Sequence, residues 1–257
     1  MKTRNLCIAV FLFLFVAQLC AAEEITVAAA ADLQFAFQDL ATRFEKETGK
    51  HVKLIFGSSG NFFAQIQNGA PFDLFFSADV DYPKRLEAAG LAEPGTIYPY
   101  AKGKIVIWAR NESKFDLSRG LQILLDPGIR KIAIANPDHA PYGRAAVAAL
   151  HHQNIYDQVF AKFVLGENIS QTASFVLSGS ADVGIVALSL ALAPSLKQKG
   201  KYVEIPSDEY PVIEQAAVVL KSSPNKEVAR QFLDFLKTPA IQNVLRTYGF
   251  SIPVASQ

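Results

Sequence analysis

The chain has 257 residues, 50% of them apolar and 19% charged, with a formal net charge of +1 and only two cysteines. A balance so close to neutral, with no basic stripe, excludes a phosphate-tracking surface for nucleic acid. The length can bury a sizeable core, either as one large domain or as two lobes of about 100 residues.

Residues 1–22 carry Lys2 and Arg4, an apolar run of eleven residues from Leu6 to Val16, and Cys20-Ala21-Ala22 ahead of Glu23 and Glu24. This is the pattern of a cleaved secretory signal. The apolar run is too short for a membrane span, which needs about 20 residues. Ala17-Gln18-Leu19 lacks the small residues expected before a lipidated cysteine, which disfavours an anchor on Cys20. Cys7 and Cys20 both leave with the signal, so the mature chain is expected to hold neither a disulfide nor a thiolate nucleophile. Removal of 22 of the 257 residues leaves 235, with 23 basic against 24 acidic side chains.

Residues 25–29 read as a short apolar strand, followed by Leu33, Phe37, Leu40 and Phe44 at helical spacing until Gly49. A second strand is expected at 51–56, a short helix at 61–68 and a third strand at 73–77, a βαβαβ rhythm. A Pro/Gly-bearing stretch covers 91–103, then strands are expected at 104–109 and 132–135 and a helix at 143–152. A helix at 170–178 and strands at 182–187, 202–205 and 212–220 follow, and the chain closes with amphipathic helices at 226–236 and 239–248. There is no internal repeat or low-complexity tract. Alternation of this kind predicts an α/β fold with mostly parallel sheets flanked by helices, where ligands bind outside the carboxyl ends of strands. The expected organisation is a signal at 1–22, lobe one at 23–104 plus 216–257, and lobe two at 105–215. Two chain crossings, near 104–109 and 213–219, would then form a hinge closing the lobes over a cleft.

Gly57-Ser58-Ser59-Gly60 sits at a strand-to-helix turn, where glycine permits close approach and the free amides of a first helical turn join two hydroxyls. That makes an oxyanion nest, and the simpler alternative is a serine that merely caps the helix. Three further loops fall at strand ends just before helices: Ala31-Asp32, the stretch 136–143 (Asn-Pro-Asp-His-Ala-Pro-Tyr-Gly), and Asn168-Ile169-Ser170. Two loops belong to each lobe, and the positive ends of helix dipoles favour a negative ligand there.

Four stretches, 28–33 (Ala-Ala-Ala-Ala-Asp-Leu), 57–60, 69–79 (Gly-Ala-Pro-Phe-Asp-Leu-Phe-Phe-Ser-Ala-Asp) and 136–143, give the mature chain a resemblance to the periplasmic molybdate-binding proteins of ABC importers. The resemblance implies two α/β lobes on a hinge and molybdate or tungstate held by hydroxyls and backbone amides, with no cofactor and no direct protein ligand to the metal. It also implies a periplasmic monomer that is not an enzyme and that delivers to a membrane permease with its ATPase. By position it assigns anion binding to Ser59 with Ser58 in support, to Tyr142 after the loop proline, to the amide of Ile169, and to Ala31 and Asp32. A tyrosine used by some members is Ala187 here, and the Tyr142 hydroxyl is a candidate replacement.

Asp32 departs from the serine or asparagine that the resemblance leads one to expect. At an effective dielectric of 20 a carboxylate about 4 Å from a dianion loses roughly 8 kcal/mol, while a hydrogen bond to a charged group returns about 1.5 to 3. The expectation is therefore that the Asp32 side chain turns away as an N-cap of the following helix while its amide, or that of Ala31, donates. A protonated carboxyl, or a ligand carrying a donor, are the competing possibilities. A donor-only pocket would reject hydrogen phosphate, whose proton needs an acceptor, and sulfate would be excluded by its smaller size.

The rival readings are a receptor for another small oxyanion or organic solute, supported by Asp32, and a serine hydrolase pairing Ser58 or Ser59 with His51, His139, His151 or His152. Gly-Ser-Ser-Gly is not the Gly-x-Ser-x-Gly nucleophile elbow. Adjacent His151 and His152 point apart on a helix, against metal binding. Phe62, Phe63, Phe75 and Phe76 are expected in the core, and the glycosylation-type triplets at Asn111 and Asn168 are assigned no function.

Overall fold

The computed structural model describes residues 23–253, and the expected signal with its two cysteines lies outside them. The first lobe holds β1 (Glu24–Ala30), α1 (Gln34–Thr48), β2 (His51–Gly57), α2 (Ser59–Gln67), β3 (Leu74–Ser77), α3 (Asp81–Ala88) and β4 (Tyr98–Gly103). The chain then crosses through the single residue Lys104 into β5 (Ile105–Arg110), which opens the second lobe. That lobe continues with β6 (Ile132–Ala135), α4 (Pro141–His152), α5 (Tyr156–Val159), β7 (Phe163–Gly166), α6 (Ile169–Leu177), β8 (Val183–Ala187), α7 (Leu188–Ala191), α8 (Pro194–Lys197) and β9 (Gly200–Glu204). The chain returns as β10 (Ile213–Val219), α9 (Lys226–Leu236) and α10 (Pro239–Thr247).

The strand orders are β2-β1-β3-β10-β4 and β7-β6-β8-β5-β9. In each sheet the first three strands are parallel and the fourth runs antiparallel to both neighbours. The reversed strands, β10 and β5, are the ones the chain enters on crossing from the other lobe. Ile213–Gln215, which the sequence division leaves in lobe two, pair with β4 in the first sheet. Backbone pairing with Gly103, Lys102 and Ala101 holds them in the first sheet, although the Ile213 side chain packs in the second lobe's core.

Amphipathic spacing explains the packing. Phe37, Leu40 and Phe44 face α1 inward, and Gly49 ends the helix in the left-handed conformation at φ 72°, donating its amide to the Glu45 carbonyl. Phe37 meets Phe76 edge-on at 4.8 Å between ring centres, and Phe44 meets Phe232 of α9 at 5.1 Å. Phe62, Phe63, Phe75 and Phe76 are all buried in the first lobe, as their spacing predicts. The second core is mostly aliphatic, built on Ile105–Ile107, Ile132–Ile134 and Ile185–Val186 around Trp108. The strands β4 and β7 and the helix α3 were not expected from the sequence. Pro99 and the flanking glycines disguise β4, and β7 is only four residues long with an exposed Leu165.

Candidate anion-binding site

A cavity of about 10 Å³ lies where the lobes meet, lined by Ala30, Ala31, Asp32, Gly57, Ser58, Ser59, Ala78, Ala140, Pro141, Tyr142 and Ile169. All six residues singled out by sequence, Ala31, Asp32, Ser58, Ser59, Tyr142 and Ile169, therefore line one space. No lysine or arginine is among the lining residues. A wider cavity of about 380 Å³ adjoins it through Ala78 and Pro141, with Asp79 and Arg144 paired at its wall.

Ser58 precedes α2 in extended conformation, but its side chain makes no capping hydrogen bond. The simpler capping account of Gly-Ser-Ser-Gly thus fails. Ser59 Oγ instead accepts the Ala78 amide at 2.9 Å, which fixes the hydroxyl oxygen and leaves its hydrogen available to a ligand. Ser58 Oγ lies 2.9 Å from His139 Nδ1 across the lobe interface. Next to it the Gly60 amide donates to the His139 carbonyl at 2.9 Å. A Cβ on Gly60 would stand 2.7 Å from that carbonyl oxygen, so the second glycine of the motif is what lets the two lobes touch backbone to backbone.

On the second lobe Pro141 occupies the first turn of α4 and has no amide to offer, so Tyr142 supplies the first free N–H there. At α6 the Asn168 side chain caps the amides of Ser170 and Gln171 at 3.0 Å each. The Ile169 amide, between the cap and those two, is left for another acceptor. The dipoles of α2, α4 and α6 thus present their positive ends to one point.

Asp32 overturns its expected role. It lies inside the short 3-10 turn Ala31–Leu33 and caps neither that turn nor α1. Its carboxylate is buried, and Oδ2 accepts from Gln215 Nε2 at 2.7 Å and from the Tyr142 hydroxyl at 2.8 Å. The physical reason is competition: two side-chain donors at the hinge outbid the amides of a turn only three residues long. The second expectation that falls is the spare Tyr142 hydroxyl. Its one hydrogen goes to Asp32, and its oxygen accepts from Gln215 at 2.9 Å. Gln215 Oε1 in turn accepts from Tyr100 at 2.7 Å, and Ser189 Oγ donates to the Asp32 carbonyl at 2.7 Å.

Burial pushes the Asp32 carboxyl up to about 6, against the lowering effect of the bonds from Gln215 and Tyr142 and of its own backbone amide nearby. Burial, and then the Asp32 charge, hold the Tyr100 and Tyr142 phenols well above their ordinary range. Gln215, Tyr100 and Ser189 escaped the sequence reading. Gln215 carried a usable signal, being a polar residue within an apolar strand and fully buried in the fold.

The serine–histidine rival meets a partial arrangement. His139 reaches Ser58 through Nδ1, and its Nε2 stands 3.7 Å from the exposed Glu167, beyond hydrogen-bond length. The trio therefore works as a clasp between lobes, to which the Asn61–Glu167 bond belongs. His151 stacks on Tyr156 at 4.2 Å, and His51 pairs with Glu45.

The profile of the bacterial extracellular solute-binding proteins matches residues 25–251. The chain belongs to that family. Within it, the molybdate-binding protein of Rhodobacter capsulatus is 38% identical over 230 residues, covering 90% of this chain and 89% of the relative. The corresponding protein of Escherichia coli is 34% identical, covering 89% of each. The solved periplasmic molybdate-binding protein of Azotobacter vinelandii superposes with a TM-score of 0.85 at 36% identity, covering 90% of this chain and all of that one. The two-lobed architecture is therefore the family's own. A sulfate-binding protein of Mycobacterium tuberculosis, at 18% identity and a TM-score of 0.71, shares the fold alone.

Proposed function

We propose that this chain is an extracytoplasmic receptor that captures molybdate, or its near-isostere tungstate, between its lobes and delivers it to an ABC importer. The observation that carries the reading is the convergence, on one cavity without lysine or arginine, of the Ser59 hydroxyl, the Tyr142 and Ile169 amides and the turn at Ala31. Neutral donors from opposing lobes suit a dianion that accepts at every oxygen, and relatives named for molybdate binding cover nine-tenths of the chain.

Ser58 supports the nest through His139 and donates only in the state where the imidazole donates to it. Tyr142 contributes its amide, not its hydroxyl. The function is transport and not catalysis, and the partners are a permease and its ATPase, with the receptor working as a periplasmic monomer. Among the described residues no helix is long and apolar enough to cross a membrane, so the transmembrane step falls to the permease.

A thermal-shift panel of molybdate, tungstate, sulfate, phosphate and thiosulfate tests the assignment. Molybdate and tungstate are expected to raise the melting temperature, since a ligand at 100 times its Kd stabilises by about 2.7 kcal/mol. A shift with sulfate or thiosulfate and none with molybdate overturns it.

A further inference from the structure

Asp32 leaves one atom unaccounted for. Its Oδ2 takes two hydrogen bonds, while Oδ1 is buried with no hydrogen-bond partner among the described residues. Asp32 also lines the small cavity, together with Ser59, Tyr142 and Ile169. A bare carboxylate oxygen in that position repels a dianion, and no lysine or arginine among the lining residues offsets it. A single hydrogen on Oδ1 reverses the sign of that interaction, because the carboxyl then donates to the ligand while Oδ2 keeps both of its donors.

We propose that the site takes up one proton together with the anion: Asp32 is ionised in the free protein at neutral pH and becomes a carboxylic acid in the complex, donating Oδ1–H to an oxygen of the bound oxyanion. The inference rests on the molybdate reading. The proton comes from solvent, and no bond to the metal-oxo centre is made or broken. The net count is one proton whether it resides on Oδ1 or on the ligand oxygen facing it. The carboxyl's position near 6 in the unliganded protein places the free group mostly ionised at pH 7 and easily reprotonated by a neighbouring negative charge.

The groups around Asp32 leave it as the proton acceptor. From α4 comes Tyr142, from β4 Tyr100, and from β10 the uncharged Gln215. Both phenols are held well above their ordinary range and stay neutral. From α7 comes the uncharged Ser189, bound to the Asp32 carbonyl. From α6 the Ser170 hydroxyl bonds Gln34 of α1, and neither residue is titratable. At the wider rim the titratable groups are Asp79, which pairs with Arg144, together with Asp81 and Glu214, and His139 lies beside Ser58.

Asparagine is the neutral mimic of the protonated state, with its oxygen for Tyr142 and Gln215 and its amide for the ligand. Molybdate titrated calorimetrically into the wild-type protein is expected to bind about tenfold more weakly per pH unit between about pH 7 and 9. In buffers of different ionisation enthalpy, the heats at about pH 8 are expected to show uptake of about one proton. Asp32→Asn is expected to bind with no such slope, and about 100-fold more tightly than wild type at about pH 8. Wild-type affinity that is flat across this range, or heats that do not depend on buffer, overturn the proton uptake while leaving the molybdate assignment standing. A slope that persists in Asp32→Asn overturns Asp32 as the acceptor. Absence of molybdate binding at every pH in the wild type overturns the assignment itself and this inference with it.

Discussion

The two lobes have the same strand order and bring opposite kinds of donor to the cleft. Lobe two offers main-chain amides: Pro141 clears the way for Tyr142 N–H, and Asn168 caps its two neighbours so that Ile169 N–H stays free. Lobe one offers side chains that hold the fold as well, with Ser59 tied to Ala78, Ser58 to His139 and Asp32 to Tyr142 and Gln215. Amides at helix starts survive almost any side-chain change, whereas hydroxyls and a carboxylate can be tuned by substitution and by pH. The difference places chemical variability in lobe one and constancy in lobe two.

The largest effect expected from breaking this division is on the stability of the ligand-free protein. The Asp32 carboxyl stands at about 6 in the fold against an ordinary 3.8, so the folded state binds more protons and stability falls as pH rises from about 4 to about 6, then levels. The loss amounts to about 3 kcal/mol. In urea unfolding, Asp32→Asn is expected to exceed wild type by that amount at pH 7 to 8, and the gap is expected to close towards pH 4. A gap of constant size would show that burial of the charge is not its source.

The next effect sharpens the role of main-chain donors. Ile169 is the first residue of α6, where proline is tolerated, and Asn168 before it is already extended at φ −150° and ψ 174°. Ile169→Pro is expected to remove one N–H together with part of a buried side chain, the lost N–H weakening molybdate binding by about 1.5 to 3 kcal/mol. Ile169→Val keeps the amide and is expected to bind normally. Equal losses in the two variants, read by calorimetry, would assign the effect to side-chain packing. The smallest effect belongs to Ser58, whose hydroxyl partners His139 at the partly buried rim. Ser58→Ala is expected to weaken binding by about 0.5 to 1.5 kcal/mol, and a loss as large as that of Ile169→Pro would make Ser58 a principal donor.

Much of this was legible in the sequence because it was written in periodicities and turn signals. The spacing of Phe37, Leu40 and Phe44 foretold α1, and the loops at Ala31, Ser58, Tyr142 and Ile169 fell at strand ends where the topology brings them together. The orientation of Asp32 was not legible, since its partners Tyr142 and Gln215 lie 110 and 183 residues away in sequence. A local capping rule sees only neighbours, and here long-range donors prevailed. The strand β4 hid for a similar reason: Tyr100 is buried against Phe37 and Phe76, both distant from it in sequence.

The placement of β10 between β3 and β4 also sets an order of assembly. Synthesis delivers the chain amino end first. All five strands of the second sheet, from Ile105 to Glu204, lie in one uninterrupted stretch and are present before Ile213 emerges. The first sheet, although begun earlier, lacks its fourth strand until then. The lobe made second is therefore the first that can be completed, and the half that carries Asp32, Ser58 and Ser59 is closed by a strand that emerges only after the other sheet is whole.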